Sequence, residues 1–436
     1  MACALTVECG EILLTMTNRI VHYRSALGVC VAILSALLAV APVVAQTAAS
    51  ASDQKPLAHY DIKPSDLPPP NASEDAVNPP RVIPRPADAK LNMPPGFSVE
   101  TFAEGDFTEP RWMALAPNGD VFLSDSRAGK IIVLRDANKD GVAEQRFTFV
   151  EGMKQPFGIA FWKNYVYIGN TDAVIRFTYQ PGQTAAAGTP ERIAELPGRG
   201  YREHWTRNIL FSADGRKMYV TVGSETNVSV EPEPMRASIV EFNPDGTGKR
   251  IYASGTRNPI GLAWLPGTRR LWAAVQERDR LGDDLVPDFV TEIDDGGFYG
   301  WPYAYMGFED PRRKDERPDL VKKTITGNVL IQAHSAILGL AFYEGSMFPR
   351  EYRGDAFVAL HGSWNRSQRT GYKIIRIRFR NGKPIGGYDD FITGWMLDPK
   401  KREVWGRPVG LLVLKDGSML ITDDGANKIW RVTYRK

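Results

Sequence analysis

Three of the five histidines, His204, His334 and His361, fall in loops or at strand ends beside Gly, Ser, Trp or Arg, where an imidazole can do acid–base chemistry near neutral pH. His204 stands in His204-Trp205-Thr206-Arg207-Asn208, just ahead of an apolar run and three residues from a cation, the setting of a candidate general base. Arg257-Asn258-Pro259, His361-Gly362-Ser363-Trp364-Asn365-Arg366 and Trp405-Gly406-Arg407-Pro408 each bring a guanidinium to a comparable position. Arginines that converge on one mouth repel one another unless they meet an anion with several carboxylates or phosphates. The alternative is that each pairs with a neighbouring carboxylate.

A second cluster is acidic and runs from Glu277 to Asp284, followed by Gly296-Gly297-Phe298-Tyr299-Gly300-Trp301-Pro302. Calcium takes several oxygens from carboxylates and backbone carbonyls, and a Gly-containing acidic loop offers both; a plain solvated loop is the alternative. Asp136-Ala137-Asn138-Lys139-Asp140-Gly141 copies the start of an EF-hand loop, but Phe147 occupies the position that needs a bidentate Glu, so it reads as a turn. No phosphate-binding glycine motif and no nucleophile elbow stands in a plausible context, which disfavours nicotinamide and nucleotide cofactors.

The elements that must position these residues show themselves as a repeat. A Gly or small residue, an apolar run, a turn and a second apolar run recur six times, beginning near Met113, Gly158, Asn208, Gly261, Gly339 and Gly410. Asn118-Gly119, Asp214-Gly215 and Asp416-Gly417 are strong hairpin turns, because both turn residues tolerate positive φ. Third strands follow, as in Lys130-Ile131-Ile132-Val133-Leu134 and Ile429-Trp430-Arg431-Val432. The expected fold class is therefore all-β, a six-bladed β-propeller, in which loops between blades converge on one mouth of a central channel.

Composition agrees: 43% hydrophobic and 24% charged residues suit a folded core, and 40 Gly with 31 Pro suit many short strands. A net charge of +3 without a basic, aromatic-laced run makes nucleic acid an improbable partner. All three cysteines precede Gln46, so the folding part of the chain has no disulfide framework. Arg19 and Arg24 ahead of the apolar stretch 26–45 predict a signal peptide over 1–45, with an uncleaved anchor as the alternative, and hence a periplasmic or secreted protein. Residues 46–90, rich in Ala, Pro, Ser and Asp, predict a disordered linker, with the propeller occupying 91–436.

In their order along the chain, His204-Trp205-Thr206-Arg207-Asn208, Gly255-Thr256-Arg257-Asn258-Pro259, Gly297-Phe298-Tyr299-Gly300-Trp301-Pro302 and His361-Gly362-Ser363-Trp364-Asn365-Arg366 resemble the glucose/sorbosone dehydrogenase family of soluble quinoproteins. The resemblance implies a six-bladed propeller holding pyrroloquinoline quinone (PQQ) and Ca2+ in the channel mouth and oxidising an aldose at its anomeric carbon. It implies that His204 is the base and that Arg257, catalytic with it, also contacts the cofactor as one of a pair with Asn258 beside the quinone. Gln155, Arg207, Asn258, His334, His361, Trp364 and Arg407 are the implied cofactor contacts, with Arg366 standing in for a lysine of the glucose enzymes. One of two arginines expected against the cofactor is Trp405 here. Asp279 and Arg280 would offer carbonyls to the calcium, with Asp283, Asp284 and Tyr299 as further candidates. The implied partners are a sugar substrate and an electron acceptor of unknown identity. A calcium-dependent lactonase and a non-catalytic binding module are the competing readings of the same architecture.

Overall fold

A computed structural model describes residues 55–198 and 204–435. The signal peptide expected over 1–45 lies outside these residues. Six four-stranded antiparallel sheets are the blades, and they begin with inner strands Pro110–Leu115, Ile159–Trp162, Ile209–Phe211, Asn258–Trp264, Ile337–Phe342 and Pro408–Val413. These are the six repeats read from the sequence. The second strands, such as Val121–Asp125, Ala356–Leu360 and Met419–Asp423, are buried along their whole length because a neighbouring blade covers each face. That is why they read as near-continuous apolar runs. Among the described residues the only α-helix is the single turn Pro318–Val321.

The glycine that opens four of the repeats has a packing reason. A Cβ on Gly158, Gly261, Gly339 or Gly410 would lie 2.5–2.6 Å from a carbonyl oxygen of the next blade's inner strand or of the residue leading into it. Inner strands crowd toward the axis of the ring, and at this level backbone meets backbone. Gly339→Ala is expected to destabilise the fold by about 1–3 kcal/mol through overpacking. A denaturant midpoint equal to that of the parent protein would show that the strands can separate freely.

The last blade is completed from the other end of the ring. Phe97–Glu104 pairs antiparallel with Lys428–Tyr434, from Phe97 opposite Tyr434 to Glu104 opposite Lys428.

The linker expected over 46–90 differs from what the chain does after Lys55. His59–Tyr60 adds a fifth strand to the blade of Tyr388–Ile392, and Tyr60 stacks on Tyr388 with centroids 5.0 Å apart. Ile62 bridges to Leu330, and Arg81–Val82 runs parallel to Glu403–Val404. The composition is indeed too polar to make a core. Open blade edges and loops supply the backbone partners that the segment lacks within itself, which a composition argument does not see.

Candidate active site

Every blade sends one apolar residue to the axis. Trp112, Phe157, Ile260, Leu338 and Val409 form one cluster, with Trp205 packed against it, so the channel is plugged. The polar residues picked out from the sequence lie one to three positions ahead of plug residues: His204 before Trp205, Arg257 before Ile260, Arg407 before Val409. The loops that follow the second strands end on the same side, and they bring Glu277, Asp279, His361 and Asp424.

A cavity of about 660 Å³ opens there, within the usual range for small-molecule sites. His204, Arg257, Asp279, Arg280, His334 and Trp364 line it, together with Glu225, Glu277, Asp288 and Arg312. His204 Nδ1 sits 3.0 Å from both the carbonyl and the hydroxyl of Ser224. A carbonyl only accepts, so Nδ1 carries the hydrogen and the lone pair of the neutral ring lies on Nε2. Burial first and the Arg257 charge second hold this imidazole well below its ordinary 6.5, so it is neutral at pH 7. A neutral ring of fixed tautomer can accept a proton at one defined atom.

Arg257 is buried and fully engaged. It donates to Glu277 O at 2.5 Å, to Asn227 O at 3.2 Å and Oδ1 at 3.0 Å, and to Asp279 Oδ2 at 3.1 Å. Asp279 also faces His334 Nδ1 at 3.3 Å, and His334 Nε2 donates to Gly282 O at 2.9 Å. Burial alone would raise the Asp279 pKa; Arg257 and His334 overcome it and hold the carboxylate below the usual range. Burial dominates at Glu277, pushing its carboxyl up to about 8, and at Asp288, raised to about 6. With Glu277 protonated and Asp279 neutralised by its neighbours, Arg280 and Arg312 give the cavity more cationic character than its count of acids suggests.

A second cluster meets the same plug. The Arg111 guanidinium lies 5.3 Å from the Trp205 ring centre and 5.9 Å from that of Phe157, and its tip binds Asp424. Asp424 accepts from His361 Nε2 at 2.9 Å, and Arg407 donates to His361 Nδ1 at 3.0 Å. His361 is thus held in the opposite tautomer to His204. Burial and Arg407 lower it to about 4 against the pull of Asp424, because a second proton would point at a guanidinium.

Several expected residues do other work. Arg207 is buried and turned onto the backbone carbonyls of His204, Thr206 and Pro197, so it braces the segment carrying His204 rather than facing the cavity. Asn258 donates to Gln276 at 2.9 Å beside the cavity. Gln155 is exposed and does not line the cavity, although it lies two residues before Phe157. Arg366 pairs with Asp284 at 2.7 Å and also holds the Asp283 carbonyl.

The expected calcium set does not assemble. Tyr299 is a core residue whose hydroxyl donates to Glu292 O and accepts from Asp294 N. Asp283 turns to Ser367 and Asp284 to Arg366. The Asp279 carbonyl already accepts from Asn227 at 2.9 Å and from Arg278 at 3.2 Å, donors that a cation would have to displace. Among the described residues no group of three or more His, Cys, Asp or Glu is arranged to hold a metal ion. The loop 136–144 is the expected turn, with Gly141 N donating to Asp136 at 2.8 Å.

Sequence reading missed Arg111, Asp424, Glu277 as a cavity carboxyl, Asp288 and Arg312. A signal for Asp424 exists. Ser124-Asp125-Ser126 and Thr422-Asp423-Asp424 are matching phrases at the ends of second strands, and both reach the channel mouth.

Comparison with known proteins fits this geometry. The model of the Glucose / Sorbosone dehydrogenase family matches residues 107–364, and a TrAA12-like model matches residues 309–435. An uncharacterized protein of Borreliella burgdorferi is 30% identical over 79% of this chain and 91% of its own length. Quinoprotein glucose dehydrogenase B of Acinetobacter calcoaceticus is 24% identical over 47% of this chain and 52% of its own. The holo PQQ domain of pyranose dehydrogenase from Coprinopsis cinerea superposes with a TM-score of 0.66 at 19% identity, covering 82% of this chain and 100% of that domain. The family match spans most of the propeller and includes His204, Arg257 and the cavity loops, so the chain belongs to the glucose/sorbosone dehydrogenase family of PQQ-type sugar oxidoreductases.

Proposed function

We propose that this protein oxidises an aldose or a related sugar hemiacetal or aldehyde, with PQQ held in the cavity beside His204. The observation that carries the reading is the neutral imidazole of fixed tautomer leading into one blade, beside Arg257, Arg280 and Arg312 of the next. The residues present fit a planar polycarboxylate. Glu277 Oε1, in the cavity wall, is buried and lacks a hydrogen-bond partner among the described residues, and Arg257, Arg280, Arg312 and His334 stand around the same space. Buried polar atoms without partners are costly, and a ligand carrying donors and acceptors would satisfy them. Arg312 and His334 would hold the cofactor's carboxylates, while Arg280 and Trp364 would leave the outer part of the same space to the sugar.

When bound, the quinone supplies a two-electron acceptor, the hard chemistry that no side chain here provides. The protein's own share is orientation and proton transfer. His204 Nε2 takes the hydroxyl proton of the sugar, and the bond from Nδ1 to Ser224 keeps the ring aimed. Burial first and the Arg257 charge second keep that ring neutral between turnovers, and Arg257 anchors the Glu277–Asp279 wall through its bonds to both residues.

Purified protein titrated with PQQ should develop the absorbance of a bound quinone and then reduce an artificial dye when aldoses are added. Tight ligand binding without turnover would instead favour a binding module. The apolar leader at 26–45 supports export to the periplasm or beyond, and sequencing the N-terminus of the mature protein reads that directly.

A further inference from the structure

We infer that the N-terminal segment 71–78 is part of the active site, with Asn365 and Asn78 as positioning residues that hold the outer wall of the cavity and thereby set its affinity for sugar. This rests on the sugar-oxidising reading above. The wall has two members from different blades, Arg280 and Trp364, both lining the cavity. Arg280 sits at φ +69°, a left-handed conformation that a side chain bearing a Cβ keeps only when its surroundings impose it. Asn365 bonds the backbone at that point: its Oδ1 accepts the Arg280 N–H at 2.7 Å.

The same buried amide reaches the N-terminal segment on its other side. Nδ2 of Asn365 donates to Asp75 Oδ1 at 2.6 Å and to Ala76 O at 2.5 Å. Two residues on, the Asn78 N–H donates to the Trp364 carbonyl at 2.7 Å, and its Nδ2 donates to Arg366 O and Ser367 O. Arg369 donates back to Asn78 O and Oδ1. Further along the loop, Asn71 N donates to Leu281 O at 2.8 Å and Asp283 N donates to Ser73 Oγ at 2.7 Å. The loop bearing Arg280 and the loop bearing Trp364 are therefore bonded to each other directly and, in addition, through a segment that neither blade contains. Trp364 is 36% exposed, so its indole can meet the C–H face of a sugar ring entering from solvent.

The test uses the full chain carrying Asn365→Ala, Asn365→Asp or Asn78→Ala, each loaded with PQQ. In the alanine variants, amide exchange in the wall loops should rise about tenfold or more, over 279–284 for Asn365→Ala and 363–367 for Asn78→Ala, while the second strands Leu271–Gln276 and Ala356–Leu360 stay protected. The aldose KM should rise about tenfold with kcat changed by less than about threefold. Asn365→Asp keeps the acceptor for the Arg280 N–H, so it should restore protection over 279–284 but not over 71–78. Unchanged exchange in the wall loops overturns the inference, as does local loosening that leaves KM where it was. If Asn365→Ala loosens every blade, Asn78→Ala decides alone. A parent protein that binds no quinone or oxidises no aldose sinks the functional reading, and the wall then stands or falls on the exchange pattern.

Discussion

Alanine at position 204 is expected to lower kcat for aldose oxidation by about 10²–10⁴, the usual worth of a positioned general base. The fold should survive, because the neighbouring plug residue Trp205 stays in place and Arg207 still holds the carbonyls of residues 204 and 206. The pH dependence sharpens the test. Proton uptake by the sugar's partner requires the neutral ring, and burial with Arg257 keeps its pKa well below 6.5. Activity attributable to this group should therefore be flat above pH 6.5 and fall only on the acid side. An acid limb centred at or above 6.5 in the parent protein would contradict the environment described for His204. Full activity in His204→Ala would remove it from the chemistry altogether.

Asp424→Asn should be the most destabilising of the conservative changes at the mouth, by about 3–5 kcal/mol. The buried carboxylate holds the Arg111 guanidinium and the His361 ring, with Arg407 on the far side of that ring. Asparagine keeps the shape but leaves two guanidiniums near one another with no anion between them. Although burial favours the acid form, His361 and Arg111 hold Asp424 far below its ordinary 3.8. Its contribution is therefore present above the unfolded value of 3.8 and is lost only in strong acid, so the deficit of the variant should be constant from about pH 5 to 8. His361 acts in the same sense over a higher window: between 6.5 and about 4 the unfolded chain takes up a proton that the native ring refuses, and stability declines as the pH falls through that window. Denaturant midpoints measured across the range, with unchanged slope, read both effects. A shift below about 1 kcal/mol would mean that solvent screens the cluster as it does a surface pair.

How much of this was legible in the sequence follows from where each residue gets its orientation. The blades were readable because Gly158, Gly261, Gly339 and Gly410 answer to one steric demand, the approach of the next inner strand, and the demand repeats. His204 and Arg257 were readable because each is fixed relative to a plug residue one to three positions along, where the chain leads into an inner strand. The acidic run from Glu277 to Asp284 was not, because its carboxylates are claimed by partners remote in sequence: Asp279 by Arg257 and His334, Asp283 by Ser367, Asp284 by Arg366. Alternation along a strand carries no information about such loop-to-loop pairing. Segment 55–90 was misread for a related reason. Its composition reports how little it buries by itself, whereas its order comes from the edges and loops of other blades.

The pairing of Phe97–Glu104 with Lys428–Tyr434 has a consequence for how the molecule is made. Ser98 and Thr433, whose hydroxyls meet at 2.7 Å in this clasp, are 335 residues apart in the chain. Loop-closure entropy must be met before so distant a contact returns anything, which makes this step a slow one. A chain emerging from the ribosome carries its Phe97–Glu104 strand as a bare edge until Lys428–Tyr434 has cleared the exit, and for that interval the edge is open to pairing with another chain.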